Sequence, residues 1–351
     1  MRFIGSKERL APAISRILKG RFEEGCLVGD LLCGTATVSA LLKQMGYRVI
    51  ANDNLFFCTV IARAMLLISE EPEFSSLGNL TDSRAKLLVS VYDNVLEYLN
   101  NLAPIKGFIY NNYSQEGTKG QEYERNYFTG ENAGRVDAIR SQIEDWYEGN
   151  AITYDEKCLL LTNLLDATVA VSNTAGTYGF FLRQLEPRAL KEITLKRSKI
   201  IPGRTDHLVF NRDANVLARD VTLDVAYLDP PYNWRQYAAY YHILETIAKY
   251  DSPTILGKSG LRPWNEQRSR YSYRNDACNA LAEIVNTINA RAILLSYNAD
   301  GLVTHQEIMD ILTAVGEPEI ETIVLPRYIS SFGGSDNHTV KEHLYYVSFK
   351  N

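Results

Sequence analysis

Four short apolar runs limit what this chain can fold into, because each has a polar residue at or near its carboxyl end. Cys26–Leu32 contains Asp30 and leads into a small-residue loop, with helix-like spacing from about Val38 to Met45. Tyr47–Asn52 stops at Asp53, and Val225–Leu228 stops at Asp229. Ala292–Tyr297 includes Ser296 and follows helical spacing near Asn279–Ile288. Apolar runs of this length, alternating with helical segments, read as strands of a mostly parallel α/β sheet. Ligand-binding residues of such sheets gather at the carboxyl ends of the strands, where Asp30, Asp53, Asp229 and Ser296 fall.

The pattern changes between these runs. Ser83–Leu99, Gly134–Tyr147 and Tyr154–Val171 carry helical apolar spacing. Gly107–Gly130, rich in Tyr, Asn, Gly, Gln and Glu, reads as loop. The expected organisation is therefore a sheet domain from residues 1–67 and 206–351, with residues 68–205 inserted as a mainly helical domain. Glu321–Phe349 suggests two further strands joined by a long connection, Ser330–Asn337.

Composition narrows the functional classes. The 351 residues suffice for one large core and a smaller appended region, with ordinary apolar and charged fractions. No run approaches the roughly 18 apolar residues of a membrane span, so no membrane partner is expected. The N-terminal segment mixes Lys7, Glu8, Arg9 and Arg16 with apolar residues, which is amphipathic and unlike a secretory signal. Five cysteines without a C-x-x-C pair read as reduced thiols in a cytoplasm. Five histidines without ligand spacing argue against a metal site. The net charge of −5 is not the global signature of a nucleic-acid binder. Basic residues nevertheless cluster: Arg183, Arg188, Lys191, Lys196, Arg197 and Lys199 form one run, and Arg262, Arg268, Arg270 and Arg274 another, interleaved with Trp264, Tyr271 and Tyr273. Such runs are usually solvated surface, and the interleaved aromatics make phosphate contact an equal alternative.

Two constellations carry chemistry. Asp229-Pro230-Pro231-Tyr232 directly follows an apolar strand. Pro-Pro commonly punctuates a turn, yet here it also fixes a carboxylate and a backbone carbonyl beside an aromatic ring. A rigid acceptor pair with a stacking face suits a planar base bearing an amine. The amine of adenine is a poor nucleophile because its lone pair is delocalised into the ring. Acceptors that draw its N–H groups to one side favour a pyramidal nitrogen, so positioning and electrostatics can supply much of the rate. The second constellation is the loop from Asp30 to Ser39, where Gly34, Thr35 and Ala36 allow a ligand close to the backbone at a helix N-terminus. Asp53 follows about 20 residues on, where an acid characteristically holds ribose hydroxyls. A dinucleotide enzyme would show further glycines, so a nucleoside cofactor without pyrophosphate fits better.

In this order the motifs resemble those of the Dam-like class of adenine-N6 DNA methyltransferases, and within it the FokI-type branch. The resemblance covers nearly the whole chain. It implies a Rossmann-like methyltransferase sheet that binds S-adenosylmethionine, with the inserted helical domain serving target recognition. Phe3-Ile4-Gly5-Ser6-Lys7 is similar to the N-terminal motif that helps form the cofactor pocket, which assigns Lys7 to the cofactor together with Asp30, Gly34 and Asp53. Asp213 is similar to the acid that contacts the cofactor adenine. Asp229, Pro230, Pro231 and Tyr232 form the catalytic motif, extended by Asn233-Trp234-Arg235-Gln236-Tyr237, and Ser296-Tyr297-Asn298 resembles a motif lining the base pocket. Two positions depart from the family: Ala36 replaces the second glycine of the cofactor loop and Leu32 its usual aromatic. The implied activity is methyl transfer to a flipped adenine of double-stranded DNA, without a covalent intermediate, in a restriction–modification system with a cognate endonuclease. Arg183, Arg188, Lys196, Arg197 and Arg270 are the residues expected to face phosphates. Cytosine-N4 or RNA-adenine methylation, or a catalytically silent DNA-binding relative, are the competing readings.

Overall fold

The apolar runs pair into one sheet because their backbone polar groups are buried and must find partners within the protein. The computed structural model describes residues 7–78, 90–326 and 339–350. Seven strands form the sheet: β1 (Leu27–Asp30), β2 (Arg48–Asn52), β3 (Leu208–Phe210), β4 (Thr222–Leu228), β5 (Asn289–Asn298), β6 (Glu319–Pro326) and β7 (Thr339–Ser348). Their spatial order is β3-β2-β1-β4-β5-β7-β6. Strands β1 to β5 pair with one another in parallel, and β7 runs antiparallel to both β5 and β6. The fold is thus the α/β sheet that the apolar runs predict. From β1 the strands proceed outward to β2 and β3 on one side, and β4 and β5 lie on the other. The order reverses between β1 and β4, and that reversal is where open α/β sheets bind ligands.

The chain divides into two compact units. The sheet unit holds the described parts of residues 7–62, 203–237 and 267–350, and the helical unit holds Arg63–Pro202 and Ala238–Glu266. One apolar layer of the sheet unit combines Leu31, Ile50, Ala226, Leu228, Ile293 and Leu295 with the helix Ala277–Thr287, through Leu281 and Ile284. In the helical unit the long helices Gly130–Glu148 and Tyr154–Val171 start at threonine caps, and Thr153 with Glu156 completes a capping box.

The structure differs from the sequence reading in several places. Ala238–Glu266 belongs with the helical unit rather than the sheet, because Arg140 Nε donates to Ile247 O at 2.9 Å and Tyr250 Oη to Asp137 Oδ1 at 2.8 Å. Tyr113 Oη likewise donates to Gly260 O at 2.9 Å. Within the stretch read as loop, Phe108–Tyr113 is helical. Strand β3 was not expected, since its three residues are all at least partly exposed. Of the helix expected over Ser83–Leu99, Val91–Asn100 is helical and residues 83–89 lie outside the described residues. The Ser330–Asn337 connection and the first six residues also lie outside them. No helix among the described residues is long and apolar enough to cross a membrane.

Candidate active site

Strand register builds the site. Asp30 pairs with Tyr227 across β1 and β4, and Tyr227 with Leu294 across β4 and β5. Side chains alternate along a strand, so Ser296 and Asn298 share the face of Leu294. Asn298 in turn pairs with Glu342 across β5 and β7. One face at the carboxyl end of the central strands therefore carries Asp30, Tyr227, Ser296, Asn298 and Glu342. Asp229 follows two residues after Tyr227, just past the end of β4.

Lys7 lies at the centre of this group. Its ammonium is 3.1 Å from Asp229 Oδ1 and 3.2 Å from Glu342 Oε2. Burial works against the Lys7 charge, but the two carboxylates outweigh it and hold the group above the ordinary lysine value. Burial raises the Asp229 carboxyl to about 6, with Lys7 opposing the rise and Glu342 adding to it. Oδ1 is the Asp229 oxygen that faces Lys7, and the Asp229 side chain as a whole keeps 19% exposure. The Tyr232 ring centre lies 5.9 Å from the Lys7 ammonium. Leu302 N donates to Tyr232 O at 2.8 Å, and the ring packs on the core, which fixes the Asp229–Tyr232 loop. Pro230 is buried and Pro231 half-buried within it.

The cofactor loop is equally tethered. Asp53 Oδ2 accepts from Gly34 N at 2.9 Å, and Asp53 Oδ1 accepts from Leu55 N at 2.9 Å. Gly34 and Ala36 both take left-handed backbone, with φ of 51° and 56°, and Ala36 caps the helix Thr37–Gln44. Asn52, fully buried, donates to Leu31 O and Arg212 O and accepts from Arg212 N, joining the ends of β1, β2 and β3. Ser39 Oγ donates to Asp30 Oδ2 at 2.6 Å. Asp30 Oδ1 is buried without a hydrogen bond among the described residues, as are Tyr227 Oη and Ser296 Oγ. Burial raises the Asp30 carboxyl to about 7, and the Asp229 and Asp53 charges add to the rise against the Ser39 hydrogen bond. An orphaned acceptor of this kind is completed by a cationic donor. These carboxylate acceptors fit the ammonium and ribose hydroxyls that S-adenosylmethionine would donate.

The remaining residues from the sequence reading are spread more widely. Asp213 caps the short helix Ala214–Leu217, with Oδ1 accepting from Val216 N at 3.1 Å. Arg183 and Lys196 are exposed on the helical unit. Arg188 donates to Thr174 O, and Arg197 is ion-paired with Glu71 and Asp93. Arg270, on the sheet unit, grips Asp276 through two hydrogen bonds and also pairs with Glu283. Sequence reasoning placed Ser39 in the cofactor loop without its bond to Asp30, and missed Glu342 and Asn52. A buried acid inside an alternating strand was the only available sign of Glu342.

The pattern that defines the D12 class of N6 adenine-specific DNA methyltransferases matches residues 3–309. The chain belongs to that family. Its relatives include the modification methylase StsI of Streptococcus sanguinis, 35% identical over all of this chain and 52% of the relative. The type II methyltransferase M.FokI of Planomicrobium okeanokoites is also 35% identical, over 99% of this chain and 52% of its own. The chain thus spans about half the length of these two relatives. The type II methyltransferase M.NlaIII of Neisseria lactamica is 32% identical over 99% of this chain and 98% of its own.

Proposed function

We propose that this protein transfers a methyl group from S-adenosylmethionine to N6 of an adenine in double-stranded DNA, as the cytoplasmic modification enzyme of a restriction–modification pair. One observation carries the reading. Asp229 has one oxygen held by Lys7 and a side chain that is still partly exposed, in a proline-stiffened loop at the point where the strand order reverses. S-adenosylmethionine, when bound, supplies a methyl group on a positively charged sulfonium. Asp30 would hold its ammonium, the Gly34 loop with Asp53 its ribose, and Asp213 its adenine. The target base must leave the duplex because its amine is otherwise paired and stacked. Tyr232 then offers the ring that receives the flipped base. Asp229 Oδ2 and the Pro230 carbonyl accept from the amine and turn its lone pair outward. Lys7 keeps Asp229 ionised near neutral pH against the effect of burial. No thiol competes as a nucleophile at the cofactor loop, since burial holds Cys33 well above the ordinary cysteine value.

The test is incubation with duplex DNA and S-adenosylmethionine, followed by nucleoside digestion and mass spectrometry. N6-methyladenine is the expected product, and long-read sequencing of the same DNA reports its sequence context. N4-methylcytosine, or label confined to RNA, would replace this reading.

A further inference from the structure

We propose that Glu342 is a positioning residue of the methyl-transfer site, which acts through Lys7 to set the placement and ionisation of Asp229. The proposal rests on the functional reading above and adds a residue from the antiparallel strand β7. Three contacts form a relay: Asn298 Nδ2 donates to Glu342 Oε1 at 3.0 Å, Glu342 Oε2 faces Lys7 at 3.2 Å, and Lys7 faces Asp229 at 3.1 Å. Asn298 cannot turn its amide round, because its Oδ1 accepts from Asp300 N at 2.8 Å. Its Nδ2 donor is therefore committed to Glu342, which must present an acceptor to Asn298 and another to Lys7. An ionised carboxylate meets both demands at once. Glutamine cannot: one of its terminal groups would set an N–H against another donor.

Glu342 is 7% exposed, and burying an acid there is costly unless the charge is used. It gives Lys7 a second carboxylate, so the ammonium is shared and its hold on Asp229 is loosened. Asp229 thereby remains a stronger acceptor for a substrate amine. The groups facing Asp229 are Lys7 from the N-terminal segment, Glu342 from β7, Asp30 from β1, Tyr227 from β4 and Tyr232 from its own loop. Lys7 is the cation of this set. Removing the Glu342 charge deletes a like charge that raises Asp229, so Asp229 would lose its proton at lower pH.

The experiment compares parent, Glu342→Gln and Glu342→Asp by two readouts. The acidic limb of kcat against pH should move down by about half a pH unit or more in Glu342→Gln. It should return to the parental position in Glu342→Asp, which keeps the charge. Carboxyl-carbon NMR of protein labelled at aspartate, with Asp229 assigned through Asp229→Asn, should show the same downward move in its titration without any need for activity. Glu342→Met serves as a second charge-removing variant if glutamine does not fold, and should shift Asp229 the same way. An Asp229 titration that is identical in parent and charge-removed protein would overturn the proposal. A parental enzyme that methylates no adenine would instead overturn the functional reading, and the NMR result would still decide the coupling.

Discussion

Asp229 carries a charge that burial disfavours, and Lys7 is what retains it. Asp229→Ala leaves both prolines and Tyr232 in place, and leaves Lys7 paired with Glu342. The fold and cofactor binding should persist within a few-fold, while turnover falls at least about a hundredfold, as when one preorganised transition-state partner is deleted. Folded Asp229→Ala that methylates at the parental rate would dismiss the proposed role. Asp30 makes a second, pH-dependent prediction. Its carboxyl is raised to about 7, so in the free protein the neutral form dominates below that pH. A carboxyl raised in the folded state favours the fold at low pH, and that contribution is lost as pH rises through about 7. A cationic ligand reverses the preference, since it binds the ionised form. S-adenosylmethionine binding should therefore tighten roughly tenfold between pH 6 and pH 8, with proton release near pH 7. Calorimetry in two buffers of different ionisation enthalpy measures both. A flat profile in the parent, matching that of Asp30→Asn, would remove Asp30 from the cofactor site.

At the scale of elements, the site depends on strand ends being held in step. Asn52 does this for three of them, with one amide serving Leu31 O, Arg212 O and Arg212 N. Asn52→Asp keeps the shape but turns a donor group into an acceptor facing two carbonyls. Buried unsatisfied polar groups cost about 1–3 kcal/mol each, so the variant should lose at least about 2 kcal/mol at pH 8. The urea midpoint with an unchanged slope reads that loss, and a parental midpoint would mean that the loops hold themselves. These elements also mark what the sequence could and could not convey. Buried runs such as Val225–Leu228 announce themselves, because a fully covered strand must be apolar along its length. Asp30, Asp53 and Asp229 were legible from their place at the ends of such runs. Strand β3 was not, being three residues long and partly exposed. The helix Phe108–Tyr113 was hidden because its start is capped from elsewhere: Asp137 accepts from Ile109 N and Tyr110 N. Glu342 was hidden for the same kind of reason, since its partners Lys7 and Asn298 are 335 and 44 residues away. Ala36 read as a missing glycine, yet alanine takes the left-handed backbone there with φ 56°.

For the whole molecule, 37 Lys and Arg stand against 42 Asp and Glu, so the cations able to meet a polyanion are those not already paired. Sequence alone could not tell which, because it gives charges without their partners. The structure separates the five residues expected to contact phosphate by how far each is already committed. Arg270 is bound twice by Asp276 and again by Glu283, and Arg197 is shared between Glu71 and Asp93. A cation flanked by two carboxylates presents little net positive charge to a phosphate, so it replaces few counterions on binding. Arg183 and Lys196 are exposed, and their side chains have no partner among the described residues. Each phosphate neutralised on duplex DNA contributes about −0.9 to the slope of log affinity against log salt. Arg183→Ala combined with Lys196→Ala should therefore make that slope shallower by about 1.8, and weaken binding to all sequences alike. Arg270→Ala should leave the slope at its parental value and change thermal stability by no more than about 1 kcal/mol, because only Asp276 loses its counterion while Glu283 keeps Arg219. Fluorescence-anisotropy titrations of duplex DNA across a salt series measure each slope. A parental slope in the double variant, with a shallower one in Arg270→Ala, would show that internal pairing does not decide which cations meet DNA.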